Sequence, residues 1–481
     1  MVQPVPELTL NFIKGDEYGA ETEYRDALPV NMYAVERPVF GSQGYMCQEP
    51  GITEFVTDSD SKLFLGVDRG GIWNSRFERH YRVSGQNLIQ LNSDGTVTRL
   101  GEITGSDNAK MAYSFNNLAI VADKKLYMYN PTDGLRQITD EDVGEPDDVE
   151  WIDQYFILTD GKNLYHTSIV DETTIDPSEF ATSEFSPDGT TGLGKTVDNF
   201  FVSFNRYTTE FFRNIGGEPG TFAFARSSGR AVNVGTLTPN TKCEIDDAFY
   251  TLGNRKGEAL SIYVLTAGSA KKVATREVEK ILAKYTENDL SGTVLEGQEF
   301  DGYQFLLIHL PEETLKLNLT IAGKAGLDNA YSIIKTGKDG QTTYTAINGV
   351  FDAYAGKWIY GDKKEARIGY LDNKASLHYD SFAEWYLNTP FYPIDAFSID
   401  EIEIKTVPGF TADNDVTVAI SLSNDGVNQS SETWTDYASM AHYNKRFIIR
   451  RLGYTRDFVS VRMRGVSHSR MAFSYGVLKY G

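Results

Sequence analysis

Two cysteines in 481 residues, Cys47 and Cys243, are too few for a disulfide framework. No stretch approaches the ~18 apolar residues of a membrane span. The first residues lack a basic stretch followed by an apolar run, so a signal peptide is not expected. Without one, the triplets Asn318-Leu319-Thr320 and Asn428-Gln429-Ser430 say little about glycosylation. Histidine is scarce too. His80, His166, His309, His378, His442 and His468 include no pair at metal-ligand spacing, and His309 reads as a hydrogen-bonded core residue. No serine sits in a G-x-S-x-G elbow, and neither cysteine has a plausible catalytic partner nearby. Among 67 acidic residues no carboxylate pair stands out for glycoside cleavage. These absences argue against an enzyme, and no cofactor or metal is expected.

Aromatic residues, glycine and negative charge are plentiful instead. There are 28 Tyr, 27 Phe and 43 Gly, a composition suited to strands joined by tight turns. A chain of 53.7 kDa can bury a large core and holds more than one domain. Apolar runs come in pairs split by a polar turn: residues 80–92 followed by 96–103, then 118–130, 155–167, 199–213, 248–265, 303–319 and 357–371. Leu88, Leu126 and Leu164 recur at a spacing of 38 residues within similar strings, and later units stretch as loops lengthen. Repeated two- to four-strand units predict an all-β fold with an irregular β-propeller, because a ring leaves no free sheet edge. If the first and last hairpins share a blade, the ring has six blades. A β-solenoid is the competing architecture, but its repeats are tighter.

Around this array the chain changes texture twice. Residues 1–50, rich in proline, read as an extended arm ending at the turn Pro50-Gly51. Residues 51–390 form the propeller, beginning with an expected strand at 62–67. One helix interrupts it over 274–286, where Val278, Ile281, Leu282 and Tyr285 share a face and Thr275 is a plausible N-cap. Residues 391–481 alternate as strands of a β-sandwich-like domain at 397–407, 415–427, 445–453 and 458–466, with a polar interior loop at 428–444.

Three strings imitate binding sites. Gly189 to Thr196 satisfies G-x-x-x-x-G-K-T in full, a pattern that holds phosphate when a strand precedes it and a helix follows. Here 183–188 is no buried strand and 197–206 has no helical period, so a glycine-rich loop between blades is expected. The acidic run 140–151 carries seven carboxylates before Trp151 and reads as a solvated face rather than a cation site. Residues 411–417 read as a turn capped by its own Asp and Asn side chains.

Net charge is −21, yet from Ala441 onward nine Lys and Arg face a single Asp457. An acidic body with one basic end suits contacts between copies of a subunit, with DNA or another acidic partner and a merely solvated face as the alternatives. The residues expected to make them are Arg446, Arg450, Arg451, Arg462 and Arg464.

A set of strings spread in order along nearly the whole chain carries a family resemblance. It comprises Leu28 to Met32, Gly44 to Gly51, Thr209 to Phe212, Val273 to Thr286, Leu306 to Pro311, Lys335 to Gly337, Asp425 to Asn428 and Tyr443 to Gly453. In these the chain resembles the packaged-DNA stabilization proteins, or tail hub and nozzle proteins, of short-tailed Salmonella-type phages. The resemblance implies a non-enzymatic virion protein assembled in the host cytoplasm. It implies a homo-oligomeric, hexameric ring below the portal and head-to-tail adaptor. That ring continues the DNA channel without sequence-specific binding and carries the tail needle and tailspikes. A cellular carbohydrate-binding or glycan-cleaving propeller is the alternative, and a monomeric protein-interaction propeller a third reading.

Overall fold

The computed structural model describes residues 5–18, 24–39, 41–183, 185–218, 220–340, 342–395, 397–407, 410–411, 416–438 and 443–481. Its hairpins follow from turn chemistry. Asp123 and Lys124 (φ 52° and 57°) join Leu118–Ala122 to Lys125–Asn130, and Asp246 and Asp247 (φ 51° and 61°) join Lys242–Ile245 to Ala248–Gly253. Two successive left-handed residues match the twist of antiparallel strands, and Asp tolerates that conformation.

Seven sheets of this kind follow one another among the described residues, spanning 68–102, 110–137, 148–182, 190–226, 242–272, 294–343 and 346–372. We number them blades 1 to 7. Their first strands converge on an axis: Asp68–Asn74 touches Lys110–Tyr113, which touches Asp148–Ile152, which touches Thr190–Lys195. Ala346–Asp352 in turn lies against Asp68–Asn74 and closes the ring. An apolar cluster fills each seam between blades; Phe204, Phe211, Phe249 and Tyr263, for example, join blade 4 to blade 5.

The expected six blades are therefore seven. The last hairpin does share its sheet, but with a strand upstream of the first hairpin. Gly51–Glu54 pairs with Gly369–Asp372 as the fourth strand of blade 7, from Gly51 opposite Asp372 to Glu54 opposite Gly369. The first hairpin keeps a blade of its own because the glycine-rich Asp68–Asn74 supplies its inner strand. The strand expected at 62–67 is absent. Asp58 caps the one-turn helix Ser59–Lys62, whose chain continues through an exposed Leu63.

The expected helix is present as Arg276–Leu282, burying Val278, Ile281 and Leu282 between blades 5 and 6. Short helices at Ser59–Lys62, Glu287–Leu290 and Leu319–Ala325 accompany it.

Beyond the propeller, two sheets enclose a core containing Trp385, Ile402, Val418, Val461 and Phe473. One orders Trp385–Asn388, Phe458–Gly465, Val416–Ser423 and Thr433–Ala438; the last strand falls within the stretch expected to be a loop. The other orders Met32–Val35, Tyr45–Gln48, Ala472–Tyr480, Phe397–Thr406 and Phe447–Thr455, with Glu7–Leu10 also paired to Ala472–Tyr480. The segment expected to be an arm thus supplies three strands to this sheet, and Leu10, Phe12, Met32 and Met46 to its core. Asn31 (φ 53°) fastens it further, donating to the carbonyls of Lys335 and Glu384 and accepting from the Lys335 amide.

Candidate interaction surfaces

The five arginines expected to meet a partner lie along or just before two sandwich strands, Phe447–Thr455 and Phe458–Gly465. Four already have acidic or amide partners in their own chain. Arg446 makes a two-pronged pair with Glu403, at 2.9 Å and 2.6 Å. Arg450 reaches Glu401 across the same strand pair at 2.9 Å, and Arg464 grips Glu432 with two hydrogen bonds and Glu384 with a third. Arg462 donates to Asn388 at 3.2 Å and lies 3.6 Å from Glu17. Cross-strand placement explains the pattern: glutamates on Phe397–Thr406 face basic side chains one strand away. Arg446 and Lys405 hold the Glu403 carboxyl down to about 2. Arg451 stands apart, exposed, at φ 61°, with no partner among the described residues.

Charges inside the fold are also spent on holding sheets together. Arg82, fully buried, donates to both oxygens of Asp68 at 2.9 Å and to the carbonyls of Asn348 and Ile359, so it ties blade 1 to blade 7 where the ring closes. Its Nη1 can only donate to His80 Nε2 at 3.3 Å. The His80 proton therefore sits on Nδ1, facing Asp352 at 3.2 Å, and burial pushes the imidazole down to about 4. Lys316 of blade 6 pairs with Glu49 at 2.6 Å, while its ammonium lies 3.8 Å from the centre of the Phe305 ring. Arg470 of the sandwich donates to the Gln48 carbonyl, to Tyr33 and to Cys47, and burial pushes the Cys47 thiol up to about 11. Sequence reading missed these pairs. Lone charges inside apolar stretches, Arg82 in 80–92 and Lys316 in 314–319, were the available signals.

The strings that imitate sites have structural duties. Thr190–Lys195 is the inner strand of blade 4, not a loop and not the start of a helix. A Cβ on Gly192 would meet the Lys242 side chain at 2.5 Å and one on Gly194 would press on Phe249 and Phe204, so these glycines let neighbouring blades converge. Lys195 donates to the Trp151 carbonyl, and the Thr196 hydroxyl binds Asp198. The acidic run is solvated only in part. Asp148 is buried, pairs with Lys242 of blade 5 at 3.0 Å and accepts from the Leu193 amide of blade 4 at 2.8 Å. Among the described residues no three His, Cys, Asp or Glu side chains gather as a metal site. Asp413, Asn414 and Asp415 lie outside the described residues.

A closed seven-bladed propeller followed by a sandwich that takes up the N-terminal strands defines an all-β protein of two modules. Two family models cover it: "Bacteriophage P22 Gp10, beta-propeller" over residues 8–376 and "Bacteriophage P22 Gp10, beta-sandwich" over 384–479. The chain belongs to this P22 Gp10 family, and so is a structural protein of a phage tail and not an enzyme. The "Tail hub protein gp10" of Salmonella phage P22 is 27% identical to it over 98% of both chains. Among solved structures, the Neurospora crassa Pan2 WD40 domain (9% identity, 69% of this chain and 97% of that one, TM-score 0.41) is similar in outline. So is the N-terminal domain of Nup159 (10% identity, 70% and 98%, TM-score 0.40). Likenesses this distant carry no argument about function. The carbohydrate-active propeller finds no support.

Proposed function

We propose that this chain is the repeating subunit of a phage tail hub, a hexameric ring beneath the portal and head-to-tail adaptor. The ring completes the DNA-filled head and carries the tail needle and tailspikes. The observation that carries this reading is the end-to-end match to a tail hub protein, 98% of both chains, over a fold with both family modules. Its mechanism is mechanical. Closed β modules make a stiff wall, and a net charge of −21 supports a channel that repels the duplex and lets it slide without sequence-specific binding. We take the seven blades as the wall unit and the two-sheet sandwich, with its N-terminal strands, as the assembly module. Assembly occurs in the host cytoplasm before the protein enters the virion.

The sandwich arginines are the contact set. Arg451 has no partner among the described residues, while Arg446 and Arg450 keep 61% and 68% of their side chains exposed beyond their own glutamates. They dock on the acidic body of the neighbouring copy. Native mass spectrometry of the full chain, alone and with isolated adaptor rings, tests the assembly. Addition of six copies per adaptor complex is the expected result, and a chain that stays monomeric beside adaptor rings removes the proposal. In a reconstruction of the ring, solvent around all five arginines in every copy would remove their role alone.

A further inference from the structure

A cavity of about 250 Å³ lies on the propeller axis, with Arg69, Asn108, Lys110, Asn240, Glu296 and Asn348 as its polar lining. Most of these groups are already engaged. Arg69 donates to the carbonyls of Gly85, Ile103, Thr104 and Asp107 and to the Asp107 carboxylate. Glu296 accepts from the Gly349 amide at 2.9 Å and from His309 Nε2 at 2.8 Å. The His309 tautomer is settled by Lys363, which donates to Nδ1 at 3.0 Å. Asn348 donates to Asp68.

Three donors remain. The Lys110 ammonium and the side-chain amides of Asn108 and Asn240 have no hydrogen-bond partner among the described residues. Lys110 leaves the inner strand of blade 2 and lines the cavity, with Lys242 of blade 5 and Asp148 of blade 3 as its charged neighbours. Asp148 cannot serve it fully, being engaged by Lys242 at 3.0 Å and by the Leu193 amide at 2.8 Å. With Glu296 already accepting from Gly349 and His309, the unmatched ammonium and free amide donors are what the site offers to a negatively charged ligand. A metal cation would meet the Lys110 ammonium and the Arg69 guanidinium.

We propose that this axial cavity binds a small inorganic oxyanion of the phosphate class, held by Lys110 with Asn108 and Asn240. A tetrahedral oxyanion offers acceptors in several directions at once, which suits donors arriving from different blades. Desolvation, with Lys242 second, pushes the Lys110 amine down to about 7, and a bound oxyanion would favour its ammonium form.

Inorganic phosphate added to the full chain, against chloride at matched ionic strength, should raise the thermal midpoint in a saturable way. Lys110→Met should weaken the apparent affinity about tenfold or more, the scale of one charged hydrogen bond, and Lys110→Arg should retain binding. The paired change Asn108→Ala and Asn240→Ala, which keeps the lysine, should weaken it less. Crystals soaked in tungstate give a readout independent of stability: an anomalous peak within hydrogen-bond distance of Lys110 Nζ is expected. Absence of that peak, or an equal phosphate effect in wild type and Lys110→Met, overturns the proposal.

Discussion

The propeller and the sandwich use the same strand chemistry over opposite chain distances. In the propeller every sheet is a run of consecutive strands, apart from the closing strand Gly51–Glu54. In the sandwich, Ala472–Tyr480 pairs with Glu7–Leu10, with Tyr45–Gln48 and with Phe397–Thr406, so one strand gathers partners from both ends of the chain. Local pairing closes small loops and is favoured early in folding, whereas distant pairing bears the closure entropy of long ones. The propeller should therefore be the more self-sufficient module, and the sandwich should depend on its N-terminal strands.

Deleting residues 1–48 is the harshest test of that contrast. It removes three sandwich strands and the core side chains Leu10, Phe12, Met32 and Met46, but keeps Gly51–Glu54 for the propeller. Scanning calorimetry should lose the sandwich transition and keep the propeller transition. Native-like protection of Phe397–Thr406 from hydrogen exchange in the truncated chain would break the comparison.

Single buried ion pairs come next. Arg82→Met strands Asp68 at the ring closure and Lys316→Met strands Glu49 where the N-terminal segment meets blade 6. Each should cost about 3–5 kcal/mol in urea unfolding, because one charge stays buried without its partner. A loss below about 1 kcal/mol for Arg82→Met would mean that the closing seam does not rely on the pair.

Acid should separate the two modules. His80 is held neutral in the fold down to about 4, while an unfolded histidine takes a proton near 6.5. Its contribution is therefore complete above 6.5 and fades as pH falls from 6.5 toward 4. His378, His166 and His309, all in or beside the propeller, shift the same way through burial. Glu403 of the sandwich has its carboxyl held at about 2 against an ordinary 4.5, so its contribution persists above 4.5 and fades only below it. Between pH 6.5 and 4.5 the calorimetric transition of the propeller should move down more than that of the sandwich. Equal shifts in that window would erase the distinction.

The smallest effect belongs to Arg451→Ala. With no partner to lose among the described residues, the change should leave stability within about 0.5 kcal/mol, whereas Arg450→Ala forfeits a surface ion pair worth up to about 1 kcal/mol. Denaturant midpoints of the two variants rank them.

The paired runs legible in the sequence are the second and third strands of each blade. Leu118–Ala122 is buried along its whole length and Lys125–Asn130 nearly so, because seams with neighbouring blades cover both faces. Inner strands escaped notice for the opposite reason. Asp68–Asn74 and Thr190–Lys195 carry glycines where neighbouring side chains or backbone press close, which breaks the apolar alternation, and the latter imitates a phosphate loop. The arginine-rich end was legible as charge. Its internal partners Glu401, Glu403, Glu384 and Glu432 were not, since three of them lie more than 40 residues from the arginines they bind.

Local chemistry in the chain determined the strand pairs, their tight turns, the 38-residue early repeat, the change of texture near 391 and the family strings. Turn residues and alternation act over a few positions, and so they can be read along the chain. Tertiary structure alone decided that the ring has seven blades, that Gly51–Glu54 closes it, that the N-terminal segment is part of the sandwich and that most of the arginines are already paired. Each of these joins residues far apart in the chain, and a pairing made across such a distance leaves no local period behind it.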